Sequence, residues 1–143
     1  MDQLRPVSAV AVMTTITVVL ADDNACVLTE LREELGKEFR IVGTATNGEE
    51  AIREVISHDP DVIVLDITMP LLTGLQVASR LREIHARTKA VFLTIHEEPE
   101  YVSAALATGA LGYVTKRRLS NDLPRAIREV FDGRMFLSPT LNG

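Results

Sequence analysis

The feature that most constrains the fold of this chain is an unbroken apolar run that ends on a carboxylate. Residues 62–65 read Val-Ile-Val-Leu, and Asp66 follows them directly. Such a run without polar alternation is typical of a strand buried on both faces, as in a parallel sheet covered by helices. Pro70 and Gly74 mark the end of this strand and the start of a new element. Asp66 is therefore predicted at the carboxyl end of a central strand, where open α/β sheets bind their ligands.

Composition indicates a single globular domain without an extended basic surface. The chain has 143 residues, of which 46% are hydrophobic and 24% charged, and its net charge is −5 at pH 7. These values suit a domain with a sizeable core and give no electrostatic footprint for nucleic acid. The one cysteine, Cys26, excludes an internal disulfide and fits a reducing compartment, and the sequence has no spacing typical of a zinc site.

The N-terminal stretch leaves two alternatives, a secretory signal and a weakly structured leader. Residues 7–21 are largely apolar and follow Arg5, but Asp2 offsets that charge and three threonines dilute the apolar run. The stretch is too short and too interrupted to span a bilayer. We expect a loose leader over residues 1–14 and a cytoplasmic protein that does not contact a membrane.

Hydrophobic periodicity and turn residues predict five strands that alternate with five helices. The strands are predicted at residues 16–21, 39–45, 62–65, 90–94 and 112–116. Apolar residues at helical spacing follow each of them. This alternation predicts an α/β fold, a doubly wound parallel sheet with helices on both faces. We place the domain at residues 15–133 and expect residues 134–143 to lead out of it as a linker.

Three of the predicted helices begin with a capping signature. Asn47 and Thr73 are each followed three residues later by Glu or Gln, the pattern of a capping box. The segment Ser120-Asn-Asp122 is predicted to cap the last helix.

Polar side chains follow four of the five predicted strands. The acidic pair Asp22 and Asp23 comes after the first strand, Asp66 after the third, Thr94 ends the fourth and Lys116 ends the fifth. Because the carboxyl ends of parallel strands meet at one edge, we expect these side chains to converge. Three carboxylates repel one another unless a cation joins them, and oxygen-only ligands favour a hard cation such as Mg²⁺. With a nucleophilic aspartate, a hydroxyl and an ammonium, such a site could hold a phosphoryl group.

Each of these residues also has an ordinary structural interpretation. An acidic pair after a strand is often a helix cap, a threonine at a strand end is common, and the run Lys116-Arg117-Arg118 is typical of solvated surface. Asp66 is the exception, since a carboxylate ending four apolar residues is hard to explain by packing. The specificity of the signal lies in the recurrence of polar residues at successive strand ends.

The three histidines and the single cysteine show no pattern typical of a functional site. His58, His85 and His96 are far apart in sequence without an orienting carboxylate, so we interpret them as solvated side chains. Cys26 is interpreted as a buried small apolar residue.

Taken together, the motifs resemble the receiver domain of two-component response regulators, over residues 16 to about 132. They are the acidic pair, the setting of Asp66 with Pro70 and Gly74, the hydroxyl of Thr94, and the sequence Gly-Tyr-Val-Thr-Lys at 112–116. The resemblance implies a flavodoxin-like (βα)5 fold with a five-stranded sheet. It also implies that Asp66 accepts a phosphoryl group from a sensor histidine kinase.

The resemblance further implies a ligand set for Mg²⁺. Asp23 and Asp66 would be direct ligands, together with the backbone carbonyl of Thr68. Asp22 would act mostly through water.

The resemblance assigns the remaining site residues to phosphoryl binding and switching. Lys116 would bind the phosphoryl oxygens, Thr94 would hydrogen-bond to them, and Tyr113 would turn inward when Thr94 moves. Ile95 stands where the family more often has a small residue and would narrow access to the acceptor. Thr68 occupies a position that varies in the family and tunes the lifetime of the phosphoryl group.

Other segments resemble the NarL/FixJ (LuxR-type) branch of this family. They are residues 93–98, 107–113 and 133–139. In that branch a linker and a helix-turn-helix DNA-binding domain usually follow. We therefore expect a receiver fragment that forms a homodimer on phosphorylation and reaches DNA only through an output domain outside this sequence.

Three functions remain as alternatives. The first is a signalling switch in which a phosphoryl group on Asp66 changes the face formed by helix four, strand five and helix five. The second is an aspartyl-phosphate hydrolase of the haloacid-dehalogenase type, which usually needs a second acid where this chain has Thr68. The third is a receiver-like scaffold that does not use phosphate. The residues that argue against it are all intact: Asp23, Asp66, Thr94 and Lys116. We favour the first, which is not an enzyme beyond its own phosphorylation and dephosphorylation.

Overall fold

The structure is a computed structural model that describes residues 15–141, so the predicted leader at residues 1–14 lies outside the described residues. The strands are β1 (Thr17–Ala21), β2 (Arg40–Ala45), β3 (Val62–Leu65), β4 (Lys89–Thr94), β5 (Gly112–Thr115) and β6 (Phe136–Leu137). The helices are α1 (Ala25–Leu35), α2 (Gly48–His58), α3 (Gly74–Glu83), α4 (Pro99–Ala107) and α5 (Leu119–Phe131). In this part of the chain, no helix combines the length and the apolar character needed to cross a membrane.

The strands form one parallel sheet in the order β2-β1-β3-β4-β5-β6. The chain passes from β1 to one edge and then returns beside β1 to build the sheet toward the other edge. The strand order therefore reverses between β1 and β3, and open α/β sheets bind ligands in the crevice at such a reversal. The prediction of a doubly wound parallel α/β fold with five helices is confirmed.

Helices cover both faces of the sheet. Because alternate strand residues point to opposite faces, the core divides into two apolar layers. Helices α1 and α5 pack on one layer, and α2, α3 and α4 pack on the other. The run at 62–65 forms β3 in the interior of the sheet, and none of its residues is more than 2% exposed. The apolar run in the sequence thus corresponds to a strand buried on both faces.

The sheet has a sixth strand that the sequence analysis did not predict. Phe136 and Leu137 pair in parallel with Gly112 and Tyr113, and the Ser138 side chain that follows is fully buried. The expected count of five strands is therefore wrong, and residues 136–138 pack on the sheet beyond the expected boundary at residue 133. A strand of two residues is too short to show a period in the sequence.

Two of the three predicted helix caps are confirmed. The side chains of Asn47 and Thr73 each accept a hydrogen bond from the backbone N–H three residues further on, and Thr73 forms a complete capping box. The prediction for the last helix is wrong. A 3₁₀ turn at Lys116–Arg118 leads directly into α5 at Leu119, which leaves residues 120–122 inside the first helical turn.

Candidate functional site

Three carboxylates lie together where β1 and β3 end. Asp22 and Asp66 are buried, with 2% and 7% of their surface exposed, whereas Asp23 is exposed. One carboxylate oxygen from each residue lies within 4.8 Å of the other two. The predicted cluster of acidic side chains at the carboxyl edge of the sheet is therefore present.

Backbone hydrogen bonds extend the sheet by one residue and thereby fix the two buried carboxylates. The Asp22 N–H donates to the Ala45 carbonyl (3.0 Å), and the Asp66 N–H donates to the Ala21 carbonyl (3.1 Å). The backbone N–H groups of both residues are thus bonded to neighbouring strands, and their side chains remain available for other contacts.

Each buried carboxylate is held at one oxygen by the backbone and at the other by a shared ammonium. Asp22 Oδ1 accepts from the Asn24 N–H (2.9 Å), and Asp66 Oδ1 accepts from the Ile67 N–H (2.7 Å). Lys116 Nζ lies 2.8 Å from Asp22 Oδ2 and 3.0 Å from Asp66 Oδ2. Burial by itself lowers the pKa of Lys116, but its hydrogen bonds to the two carboxylates outweigh this and raise the pKa above its ordinary value.

The loop that carries Asp66 is in close contact with the start of α3. The Gly74 N–H donates to the Ile67 carbonyl at 2.7 Å, and a Cβ atom at position 74 would overlap the backbone carbonyl oxygen of Asp66. Only glycine fits here without displacing the backbone of the candidate acceptor. Steric contact with the Asp66 backbone therefore explains why the sequence motif has glycine at position 74.

The predicted switch residues are both buried. The Thr94 hydroxyl oxygen accepts from the His96 N–H at 3.4 Å, and the Tyr113 hydroxyl donates to the His96 carbonyl at 2.7 Å. Burial, followed by the nearby carboxylates of Glu98 and Asp66, raises the pKa of the Tyr113 phenol far above its ordinary value. Tyr113 lies inside the domain in its neutral form, and Thr94 and Tyr113 reach the same residue of the β4–α4 loop.

The two residues predicted to tune access lie on the solvent side of the site. Thr68, two residues after Asp66, is exposed, and its hydroxyl oxygen lies 3.0 Å from His96 Nε2. Ile95 is 71% exposed, so its apolar side chain stands in solvent directly after the buried Thr94.

Sequence reasoning missed the role of His96 in this edge of the molecule. Its imidazole contacts Thr68 and stacks on the Tyr101 ring, with centroids 4.0 Å apart and 14° between the planes. His96 is therefore half-buried and held by these two contacts, whereas the sequence indicated only a solvated side chain. Cys26, expected to be buried, is exposed. The available signal for His96 was its place two residues after a strand end that carries a site residue.

Each cation of the basic run after β5 has its own acidic partner, although Arg117 itself lies at the surface. Lys116 contacts the two buried aspartates, whereas Arg117 makes a two-point ion pair with Glu97 (2.6 and 3.0 Å). Arg118 makes a two-point ion pair with the buried Asp122 (2.7 and 3.2 Å). The three consecutive residues thus connect the end of β5 to the acidic site, to the β4–α4 loop and to α5.

Comparison with known proteins agrees with this arrangement. The family model of the response regulator receiver domain matches residues 18–128. The uncharacterized transcriptional regulatory protein YvfU of Bacillus subtilis (strain 168) is 35% identical over 128 residues, which cover 88% of this chain and 64% of that protein. The nitrate/nitrite response regulator protein NarL of Escherichia coli (strain K12) is 35% identical over 127 residues, which cover 87% of this chain and 59% of that protein.

A solved structure shows the same fold. The crystal structure of a LuxR-family two-component response regulator from Aurantimonas sp. SI85-9A1 matches with a TM-score of 0.86 and 27% identity, covering 90% of this chain and 94% of that chain. The present chain spans less than two thirds of the length of the curated relatives it matches. From its sequence, its fold and these relatives, the chain belongs to the response regulator receiver domain family, in the NarL/FixJ (LuxR-type) branch.

Proposed function

We propose that this chain is a phosphorylation-controlled switch in which Asp66 accepts a phosphoryl group from a sensor histidine kinase. The observation that carries the proposal is the ion pair of Lys116 with Asp66 inside the acidic cluster, at 3.0 Å. A carboxylate at the end of a central strand, next to a fixed ammonium, has the groups needed for nucleophilic attack on phosphorus and for charge neutralisation.

In the proposed transfer, a carboxylate oxygen of Asp66 attacks the phosphorus of a phosphohistidine. The phosphorus–nitrogen bond breaks, its electron pair returns to the imidazole nitrogen, and an acyl phosphate forms on Asp66. Lys116 would then neutralise the phosphoryl oxygens, and the Thr94 hydroxyl would hydrogen-bond to one of them. Hydrolysis of the acyl phosphate, which returns Asp66 to its carboxylate, is the chain's own dephosphorylation.

Mg²⁺ is part of this proposal because the residues present fit it. The carboxylates of Asp22, Asp23 and Asp66 offer only oxygen atoms, all within 4.8 Å of one another, which suits a hard cation. The Thr68 carbonyl would complete the protein ligands, with Asp22 acting through water. When bound, the ion would supply positive charge next to the phosphoryl oxygens.

The conformational response would involve Thr94 and Tyr113. Both side chains contact His96 in the β4–α4 loop, so a movement of Thr94 toward a phosphoryl group would change the support of Tyr113. The affected face consists of α4, β5 and α5, and we propose that it controls homodimer formation.

The output of the full-length protein is also a proposal, since the curated relatives are longer than this chain. The printed name of YvfU, a transcriptional regulatory protein, supports control of transcription through a separate output domain. We place the protein in the cytoplasm, where a kinase that uses ATP can supply the phosphohistidine.

The decisive experiment is intact mass after incubation with acetyl phosphate and Mg²⁺, in the parent and in the Asp66→Asn variant. We expect a gain of one phosphoryl group in the parent and none in D66N, because the amide is a poor nucleophile. Asp59→Asn, at an exposed aspartate outside the site, is the matched control and should gain the group like the parent. An equal gain in D66N, or no gain from acetyl phosphate and from a histidine kinase, would refute the proposal.

A further inference from the structure

A short segment after α5 covers the outer edge of β5. We call this segment, residues 136–141, the strap; it consists of β6 and the 3₁₀ turn that follows it. Two backbone hydrogen bonds hold the strap on this edge, both at 2.9 Å. The Phe136 N–H donates to the Leu111 carbonyl, and the Ser138 N–H donates to the Tyr113 carbonyl. The surface between α4 and α5 is therefore formed by the strap and not by the edge of β5 itself.

The strap is held differently on its two sides. On the α5 side the contact is polar and buried, since the fully buried Ser138 hydroxyl donates to Asp122 (2.9 Å) and accepts from the Thr115 N–H (3.2 Å). On the α4 side the contact is apolar, and Leu137 and Leu141 pack against the apolar layer under α4 while remaining partly exposed. The α4 side has less buried contact to hold it, so it is the side that can open more readily.

The apolar side of the strap shares its layer with the predicted switch residue. Leu137 pairs in register with Tyr113, so the two side chains lie on the same face of the sheet, and Leu141 packs against the same layer. The Tyr113 hydroxyl donates to the His96 carbonyl at 2.7 Å, which ties the ring to the β4–α4 loop. A change in the position of the Tyr113 ring would therefore alter the surface on which Leu137 and Leu141 pack.

The edge under the strap fits a second strand. If the strap leaves, the carbonyls of Leu111 and Tyr113 lose the N–H donors that it supplies, and the apolar layer under α4 loses part of its cover. An uncovered strand edge is a template for pairing with another chain. In a two-fold dimer, the same edge of a second copy offers the matching backbone groups. The strap and a second copy of this chain would therefore compete for the same backbone acceptors.

We propose that the strap is an autoinhibitory cover, which keeps the chain monomeric while it lies on β5 and which phosphorylation loosens through Tyr113. This inference rests on the proposed function and names the element that regulates the face formed by α4, β5 and α5. A second copy binds only the open state, so the dissociation constant of the dimer falls as the open fraction rises.

The first test uses Leu141→Ser, which removes an apolar contact of the strap and leaves the Ser138 hydrogen bonds in place. Sedimentation equilibrium of the whole chain, without a phosphodonor, measures the dissociation constant of the dimer. We expect L141S to lower this constant by about tenfold, because less buried apolar surface holds the strap closed. Met135→Ser, at a 55% exposed residue directly before the strap, is the control and should match the parent. Equal dissociation constants in L141S and the parent would overturn the inference.

Two further arms separate a cover from a part of the interface. L141S combined with Asp66→Asn should dimerise as tightly as L141S alone, because an opened strap replaces the phosphorylation signal. If L141S instead weakens the dimer that acetyl phosphate and Mg²⁺ induce in the parent, the strap belongs to the dimer interface, and the cover is refuted.

Amide hydrogen exchange follows the strap directly at its two backbone donors, Phe136 and Ser138. Acetyl phosphate with Mg²⁺ should speed exchange at both amides in the parent and leave it unchanged in D66N. Equally slow exchange in a parent that has gained a phosphoryl group would overturn the inference. If the parent gains no phosphoryl group but L141S still dimerises more tightly, the cover is retained and the proposed function is refuted.

Discussion

At the scale of single residues, Lys116 offsets part of the negative charge of a cluster of three carboxylates. Its ammonium contacts two buried carboxylates, at 2.8 and 3.0 Å, and only 23% of its side chain is exposed. A divalent cation at the same carboxylates would compete with this ammonium for their oxygens. The stability of the domain and its affinity for Mg²⁺ should therefore be coupled through this one residue.

Replacing Lys116 by Met should lower the free energy of unfolding without Mg²⁺ by about 1–3 kcal/mol, the usual cost of leaving buried polar groups without a partner. The same variant should gain more stability from Mg²⁺ than the parent, because the competing ammonium is gone. Thermal unfolding across a series of Mg²⁺ concentrations measures both effects. Lys37→Met removes an exposed ion pair and should stay close to the parent. Identical Mg²⁺ dependence in K116M and the parent would contradict the competition.

A second residue-scale prediction concerns Gly74, whose position against the Asp66 carbonyl leaves no room for a Cβ atom. Gly74→Ala should destabilise the domain by about 1–3 kcal/mol, as in other overpacked sites, although alanine favours the helix that starts here. Ser79→Ala changes an exposed residue of the same helix and should be neutral or slightly stabilising. Urea unfolding of the two variants checks this, and equal stabilities would show that the loop yields without cost.

Most of the candidate site could be predicted at this scale because strand ends can be read from the sequence. Asp22 and Asp66 each follow a recognisable apolar run, Lys116 follows the short strand predicted at 112–116, and the topology of a parallel sheet brings the three together. His96 could not be found in this way. Its contacts with Thr68 and Tyr101 depend on the path of two loops, which no periodicity in the sequence describes.

At the scale of elements, a buried polar network fastens β6 to the rest of the domain. Asp122 in α5 accepts from Arg118 and from the Ser138 hydroxyl (2.9 Å), and the Ser138 hydroxyl oxygen accepts from the Thr115 N–H (3.2 Å). Asp122 and Ser138 are 5% and 0% exposed. The network connects the end of β5, the first turn of α5 and the residue after β6.

Ser138→Ala should weaken this attachment, since Asp122 loses a donor and the Thr115 N–H loses its acceptor. We expect a loss of about 1–3 kcal/mol in unfolding free energy, with faster amide exchange at residues 136–138 than elsewhere in the sheet. Ser120→Ala, at an exposed position of α5, is the control. Slow exchange at 136–138 in S138A would show that backbone pairing alone holds the strand.

Asp122 should also make the attachment of β6 sensitive to acid. Burial by itself raises the pKa of its carboxyl group, but the hydrogen bonds from Arg118 and Ser138 outweigh burial and lower the pKa below its ordinary value. A carboxylate with a lowered pKa stabilises the folded state above its unfolded pKa of about 3.9, and this contribution is lost as the pH falls through the folded pKa. The stability difference between the parent and Asp122→Asn should therefore be largest near neutral pH and shrink below about pH 4. Urea unfolding of both proteins across this pH range measures the difference in stability. A difference that does not change with pH would show that the negative charge of Asp122 is not its source.

At the scale of the whole molecule, the parallel direction of the strands follows from the alternation of apolar runs and helical patterns. Right-handed crossovers between parallel strands leave few other topologies for such a chain. The sixth strand could not be predicted in this way, because Phe136 and Leu137 form a strand through their pairing with β5 and show no sequence pattern of their own. Residues 136 and 137 therefore pair with the sheet beyond the boundary predicted at residue 133.

Truncation tests where the domain ends. A chain that stops at residue 133 loses β6 and the Ser138 hydroxyl. The Thr115 N–H then has no acceptor, Asp122 retains only its ion pair with Arg118, and the edge of β5 is uncovered. It should unfold at a lower temperature than a chain that stops at residue 141, and by more than S138A does in the longer chain, because backbone pairing is lost as well. Thermal unfolding of the three proteins at one Mg²⁺ concentration distinguishes these contributions. If the two truncated chains unfold together, residues 134–141 contribute nothing to stability and behave as the linker that the sequence first suggested.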